Sequence, residues 1–383
     1  MAQCGGLPGA GAPTVLRVSA PQLRVKWICG AAGAGKSVAA WGLFEALAAA
    51  GQQVAYVDID HLGMLYPAAD DDPERHRFKT AALDALVPGY LATGARVLVV
   101  SGVVDIHTRP ALRSNVDLTM CLLSPSPAAL RERILARGWR ERDAEEAVAV
   151  DQLLRGADVV DAVVDSTGLS VAVTVTRLRR IVTDEGRPPE RLCSLPDSVA
   201  DLDVVILTGP RAVGSSTIAF GLARRRWRAN RRTGFVDLQE LGFRSQGDRP
   251  ATDSGLSIGQ LAAMHRLMAA HDAELLLVSG HLSSRARAAL RMTLRTASLT
   301  VVRLRADEAT LRDHVRTRAR GGGARLAGDD LVGAGHHRQE LVVATAMTEQ
   351  AALDATGRDD ILLEVSGRTP EELMVEVENQ RRW

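Results

Sequence analysis

Residues 26–47 read KWICGAAGAGKSVAAWGLFEAL. A short apolar run turns through glycines into a stretch of helix-forming residues. Within it, Gly30-Ala31-Ala32-Gly33-Ala34-Gly35-Lys36-Ser37 fits GxxxxGK[ST] at every position. Glycines at these places let successive backbone N–H groups face a phosphate, and the start of the following helix adds positive potential. Lys36 would reach the β- and γ-phosphates, and the Ser37 hydroxyl stands where Mg²⁺ is held. The predicted nucleotide contacts are Gly30, Gly33, Ala34, Gly35, Lys36, Ser37 and Val38.

The next apolar run, VAYVDID, carries Asp58 and Asp60. Two positions apart on a strand places both carboxylates on one face, at the crevice where open α/β sheets bind ligands. One can orient Mg²⁺, and the other can accept a proton from an attacking hydroxyl. Turn formation or helix capping ahead of His61 is the alternative reading of the same pair. A third run ends in Ser101-Gly102, not in the Asp-Glu pair of motor ATPases, and no NKxD guanine-reading motif occurs.

The pattern then returns. VILTGPRAVGSSTIAFGLARRRWRANRRTGFVD, residues 205–237, parallels residues 26–58. Gly30 and Asp58 correspond to Gly209 and Asp237, 179 positions on. VLVVSG, ending at Gly102, faces LLLVSG, ending at Gly280, with Arg109 and Arg287 following at the same distance. LTMCLLSPSPAALRERILAR faces LTVVRLRADEATLRDHVRTR, and DAVVDSTG faces DILLEVSG. A repeat this long is a duplicated domain, not a solenoid. Continuous apolar runs separated by helical stretches predict an α/β fold, each copy a mainly parallel sheet with helices on both faces. The expected layout is a flexible N-terminus at 1–20, a first domain at 21–182, a linker at 183–200 and a second domain at 201–383.

This succession of phosphate loop, DxD, Ser-Gly strand and LRERILARGWR resembles the small P-loop kinases over most of residues 24–182. These include the shikimate and gluconate kinases, chloramphenicol phosphotransferase and the zeta-toxin-like group. The resemblance implies two tandem P-loop NTPase domains of the nucleoside-monophosphate-kinase type, with ATP and Mg²⁺ as cofactors. It also implies an arginine-bearing lid, for which Arg133, Arg137 and Arg140 are the candidates, Arg137 being placed with the catalytic groups. The family's acid would be Asp58 or Asp60. The catalytic set is thus Lys36, Asp58, Asp60 and Arg137; Arg133 and Arg140 join the nucleotide contacts; and Ser37 and Asp58 form the metal site.

No residue names the acceptor, a small molecule bearing a hydroxyl. Arg75, His76, Arg77 and Lys79 in DDDPERHRFKT could read an anionic group, or form the solvated start of a helix at Pro73; Arg109 is a further candidate. In the second copy Ser215 replaces Lys36 and Gln239 replaces Asp60, which predicts a domain without catalysis, although Arg211 could stand in for the lysine. RRRWRANRR (224–232) could be a nucleic-acid face or an ordinary exposed helix, and Gly321–Gly323 before His336-His337 reads as a lid equivalent.

Composition bounds these readings. The 383 residues are 46% hydrophobic and 24% charged, with net charge +1. That balance disfavours a general nucleic-acid or membrane partner. Four cysteines without CxxC spacing, no apolar run long enough to span a membrane, and a start unlike a signal peptide predict a soluble cytoplasmic protein. Lysine occurs only at 26, 36 and 79. The expected function is an ATP- and Mg²⁺-dependent phosphotransferase, with a nucleotide-dependent switch or scaffold and a polynucleotide 5′-kinase as alternatives. Oligomeric state is left open.

Overall fold

The computed structural model describes residues 23–112, 116–182, 202–294, 298–322, 328–356 and 360–381. The expected flexible N-terminus and the linker at 183–200 lie outside the described residues, as does part of the 321–323 lid.

The first half runs β1 (Leu23–Cys29), α1 (Lys36–Ala49), β2 (Val54–Asp58), α2 (Ile59–Leu62), β3 (Leu65–Tyr66), α3 (His76–Ala92), β4 (Val97–Ser101), β5 (Val116–Ser124), α4 (Pro127–Leu135), α5 (Glu141–Arg155), β6 (Ala162–Asp165) and α6 (Val171–Val182). The second runs β7 (Val204–Thr208), α7 (Ser215–Arg228), β8 (Thr233–Asp237), β9 (Phe243–Gln246), β10 (Arg249–Thr252), α8 (Ser254–Ala270), β11 (Leu275–Ser279), α9 (Ser284–Thr293), β12 (Leu299–Arg305), α10 (Glu308–Ala319), α11 (His336–Thr356), β13 (Ile361–Glu364) and α12 (Pro370–Arg381).

The fold is mixed α/β with parallel sheets. Strands β2, β4, β1, β5 and β6 lie side by side in one sheet, and β8, β11, β7, β12 and β13 in the other, all paired in parallel. Chain order and strand order therefore agree in the two halves. Every residue of β2, β4, β5, β7 and β11 is buried, as strands covered on both faces require.

The sheets also exchange edges. β9, from the second half, pairs antiparallel with β2 of the first through Ala55 and Arg244, and β10 extends it. Reciprocally, β3 of the first half pairs antiparallel with β8 through Leu65–Gly234 and Tyr66–Thr233. Ala55 and Gly234 occupy corresponding positions, as do Leu65 and Arg244, so the two exchanges mirror each other. One edge of each parallel sheet, at β2 and at β8, is thereby covered by the other half, which shortens the exposed template for aggregation.

Side chains follow the strands. Phe243 enters the first half and meets Trp41 edge-on at 4.9 Å between centroids. Tyr66 enters the second and lies 4.7 Å from Trp227. Helices α3 and α8 then close the centre: Leu83, Leu86 and Tyr90 join Leu261, Met264 and Met268 in one core. The Gln260 amide donates to the Leu86 carbonyl at 3.0 Å, and its carboxamide lies where a Cβ on Gly89 would be. The halves share a core rather than merely touching.

Candidate active site

The first loop delivers α1 with no side-chain cap. Gly35 precedes the helix with φ 95° and ψ 18°, in the left-handed region, and no side chain accepts from the first-turn amides. Donors left uncapped at a helix start are the kind an anion can bind. Lys36 folds back, Nζ to the Ala31 carbonyl at 2.9 Å. Burial lowers its pKa, opposed by the charges of Asp60 and Asp58, while Arg137 lowers it further. Lys36 and three of the charged groups proposed to act with it are thus within electrostatic reach of one another.

Asp58 is the hub. Its Oδ2 accepts from Ser37 Oγ at 3.0 Å and from the fully buried Ser101 at 2.8 Å. Tyr56 OH lies 2.9 Å from Ser101 Oγ. The other oxygen, Oδ1, accepts the Asp60 N–H at 2.9 Å, which makes Asp58 the N-cap of α2. The two-apart strand geometry expected for Asp58 and Asp60 is therefore corrected. β2 ends at Asp58 because its side chain caps a new helix, and Asp60 belongs to that helix. Site and cap are the same residue.

Gly102 explains the Ser-Gly ending. With φ 134°, a Cβ there would sit 2.2 Å from Ile59 Cγ2 and 3.2 Å from Asp60 Oδ2. Only glycine lets β4 approach the acid-bearing turn this closely.

Lys79 bonds Asp60 Oδ1 at 2.9 Å with its own side chain only 6% exposed. Lys26 is buried in β1 and donates to Thr119 at 2.9 Å. Of the three lysines, one lies on the phosphate loop, one holds the neighbouring acid and one is interior. Around Lys79, helix α3 begins at His76, not Pro73, because Arg75 turns left-handed with φ 58° and Asp72 accepts the Arg77 and Phe78 amides. Arg75 sits over the Tyr66 ring at 3.9 Å and donates to the Gly63 carbonyl. Arg77 is engaged by Asp71 at 2.6 Å.

Arg133 ties the loop down, donating to the Ala34 carbonyl at 3.1 Å and the Ser166 carbonyl at 3.3 Å. Arg140 points to Asp143 at the start of α5 and is largely exposed, so it lies off the loop. Val38 is 57% exposed one residue into the helix after Ser37. Arg109 is not available to an acceptor: it grips Asp161 at 2.8 Å and the carbonyls of Val159 and Leu118. Its counterpart Arg287 pairs with Asp360 in the same way. That shared pair is structural.

The second loop repeats the hub. Ser216 donates to Asp237 Oδ2 at 2.6 Å, Ser279 to the same oxygen at 2.7 Å, and Gln239 N–H to Oδ1 at 3.0 Å. It lacks the lysine, and an acid occupies its mouth. Glu349 accepts from the Arg211 amide at 2.8 Å and from its guanidinium at 2.6 Å. Arg211 is therefore neutralised rather than free to replace Lys36. A cavity of about 460 Å³ opens here, lined by Ser215, Ser216, Asp237, His281 and Arg338 among others.

Much of the arginine-rich stretch is ion-paired or bonded to carbonyls, while Arg224 and Arg228 are exposed. Arg225 pairs with Glu371 and Glu378, Arg231 with Glu274 at 2.5 Å, and Arg232 donates to the carbonyls of His271 and Pro67. Trp227 donates its N–H to the Thr233 carbonyl at 2.8 Å. These groups fasten α7 to α12 and β8, and the turn after α7 to the segments beside β11 and β3.

One contact had no signal in the sequence. His61 Nδ1 lies 3.0 Å from Glu240 Oε2, whose side chain is 2% exposed. Burial works against the imidazolium, yet the adjacent Glu240 carboxylate, with the charges of Asp58 and Asp237 behind it, raises its pKa to about 9. Burial also raises Glu240, against the pull of His61. Only the fold brings together residues so distant in sequence; the clue available beforehand was that each stands three places after its strand-ending aspartate.

The donor set suits magnesium. Ser37 and Asp58 offer hard oxygens side by side, and no sulfur or imidazole joins them. Among the described residues there is no cluster of three or more His, Cys, Asp or Glu able to hold a metal ion, and no helix is long and apolar enough to cross a membrane.

No protein-family model matches the chain, and no curated protein matches it. Among solved structures it is similar to a gluconokinase from Sinorhizobium meliloti 1021, at 15% identity over 45% of this chain and 88% of that one, TM-score 0.31. A sugar kinase from Janibacter sp. HTCC2649 matches at 14% over 46% and 93%, TM-score 0.33. The Deinococcus radiodurans tunicamycin resistance protein matches at 18% over 47% and 95%, TM-score 0.31. Each spans about half of this chain, and at such scores none assigns a function.

Proposed function

We propose that the chain is an ATP- and Mg²⁺-dependent phosphotransferase acting on a small-molecule hydroxyl, with one working site in its first half. The observation that carries this reading is the uncapped start of α1, where Lys36 lies within electrostatic reach of the Ser37–Asp58–Ser101 network and Asp60.

In this reading the amides from Gly33 to Val38 bind the phosphates, and Lys36 leaves the Ala31 carbonyl to follow the transferred group. Ser37 and Asp58 would hold the metal, which supplies charge neutralisation on the phosphate oxygens. Asp60, fixed by Lys79, takes the acceptor's proton as its oxygen forms the new bond to phosphorus and the bond to the departing diphosphate breaks. Arg133 keeps the loop in place, and Arg137 adds positive charge beside Lys36.

We read the two halves as one duplicated P-loop domain, the second without catalysis. The matching strand orders and the repeated serine–aspartate hub support that reading. Glu349 on the second loop and the absence of a lysine there support its inactivity. The shared core favours a nucleotide-dependent switch as the second reading, since ordering one loop would strain both halves. The ion-paired arginines at 224–232 weigh against a polynucleotide kinase.

The test is a phosphorylation screen of hydroxylated metabolites with γ-labelled ATP and the whole protein. A labelled product that depends on Mg²⁺ and vanishes in Lys36→Ala is expected. Tight nucleotide binding without turnover would leave the switch, and neither would overturn both.

A further inference from the structure

We infer that Glu240, a residue of the second half, is a positioning residue for the first half's acid pair, acting on Asp58 and Asp60 through His61. The inference rests on the phosphotransferase reading above.

The geometry is specific to the join between the halves. Asp58 caps α2, Asp60 lies within it, and His61 follows. Glu240 stands at the corresponding place after Asp237, so a residue meets its own counterpart, as happens only beside an axis relating the halves. The reciprocal pairs Ala55–Arg244 and Leu65–Gly234 surround the same axis. The acid-bearing turn is thus fixed on three sides: by Gly102 against Ile59 and Asp60, by Lys79 on Asp60, and by Glu240 on His61.

Stability alone does not account for this pair. Among the described residues, His61 is the only recorded ion-pair partner of the Glu240 carboxylate, whose two oxygens are buried without a hydrogen bond. A buried ion pair with so few supporting bonds is generally no more stable than apolar side chains of similar size. What it supplies is position, since the charge contact ties the imidazole near the end of α2 to a fixed point in the other half, where a leucine would only fill space. The charges of Asp58 from β2 and Asp237 from β8 act on the pair, and Glu240 acts in turn on Tyr56 and Tyr90. A half without catalysis is then still required by the half that has it.

The experiment compares wild type with Glu240→Gln, Glu240→Asp and the double variant His61→Leu/Glu240→Leu in the full chain. Turnover, KM for ATP, melting temperature and the Mg²⁺ dependence of nucleotide binding by calorimetry are measured on each. The double variant is expected to melt at or above the wild-type temperature while kcat falls at least tenfold, with KM for ATP changed less than twofold. The gain in nucleotide affinity on adding Mg²⁺ should shrink as well. Glu240→Asp should recover part of kcat relative to Glu240→Gln. A stable double leucine with wild-type kcat and an unchanged Mg²⁺ effect overturns the inference. A fall in kcat that merely tracks a lower melting temperature across all variants overturns it too. Should wild type show no turnover, the phosphotransferase reading fails, and the Mg²⁺ effect on binding still decides the role of Glu240.

Discussion

The loops at Gly30–Ser37 and Gly209–Ser216 have nearly the same backbone. Gly35 and Gly214 precede their helices with φ 95° and 100° and ψ 18° and 14°. Behind each, one aspartate accepts from the loop serine, from the Ser-Gly strand and from an amide two residues on. What differs is electrostatic. The first loop has a cation in its final turn and no acid on its amides, whereas the second has a serine there and a glutamate on Arg211. The shape the two loops share depends on glycines and strand ends, and the chemistry proposed for the first depends on one side chain that the second lacks.

The sharpest way to break this comparison is to remove that side chain. Lys36→Ala should lower turnover on the order of 10³-fold in steady-state assays, since it deletes the cation matched to the transferring group. Ser215→Ala should leave turnover within twofold. If both substitutions act alike, the two loops are functionally equivalent and the contrast between them is wrong.

A second break concerns the shared core. Leu261, on α8, packs in one cluster with Leu83 and Tyr90 of α3. Leu261→Ala should cost about 2–5 kcal/mol. Because the cluster draws on both sheets, denaturant unfolding followed by Trp fluorescence should stay a single transition with a lowered midpoint. Two separated transitions would show that the halves fold independently.

How much of this was legible depends on how local the cause is. The glycine-rich loop at 30–37 is a run of eight residues whose backbone needs are met by its own glycines, so its turn into α1 was legible from spacing alone. The parallel strands were visible because burial on both faces makes continuous apolar runs. The fate of Asp60 was legible only as the alternative reading, capping ahead of His61, because the cap at Asp58 ended the strand two residues early. Arg109 read as a site candidate because it recurs, yet recurrence reflects its structural pairing with Asp161. β3 and β9 are too short to leave a periodicity, and their partners lie in the other half, so the exchange and the His61–Glu240 contact had no sequence signature. Helix α7's arginines looked uniform in sequence, and only the positions of Glu274, Glu371 and Glu378 separate Arg225 and Arg226 from a solvated face.

A smaller effect is expected at the second loop's mouth. Glu349→Ala frees the Arg211 amide and guanidinium for an outside anion. In a Lys36→Ala background, which weakens binding at the first loop, calorimetry should then show pyrophosphate binding about tenfold tighter than with Glu349 present, the order expected of one charge-assisted contact. No gain would mean that Glu349 merely braces α11 and does not stand where a phosphate would.

The smallest effect is a slope of stability with pH. In the folded chain His61 holds its proton up to about 9, against an ordinary value of 6.5. A group whose pKa is raised by folding stabilises fully below its unfolded value and loses that contribution as pH rises through the folded one. The raised Glu240 has the same sign. Half-buried His76 and His271 are lowered by burial, so their gain with rising pH is complete by about 6.5 and falls outside the window. Lys36, also lowered by burial, runs the opposite way toward the alkaline end. The quantity to measure is therefore a difference: the melting temperature of wild type minus that of His61→Leu/Glu240→Leu, from pH 6.5 to 9.5. It should fall steadily by a few degrees, because only wild type has a proton to lose at the join. A flat difference would mean that the join carries no charge, leaving the two halves held by their apolar core and exchanged strands alone.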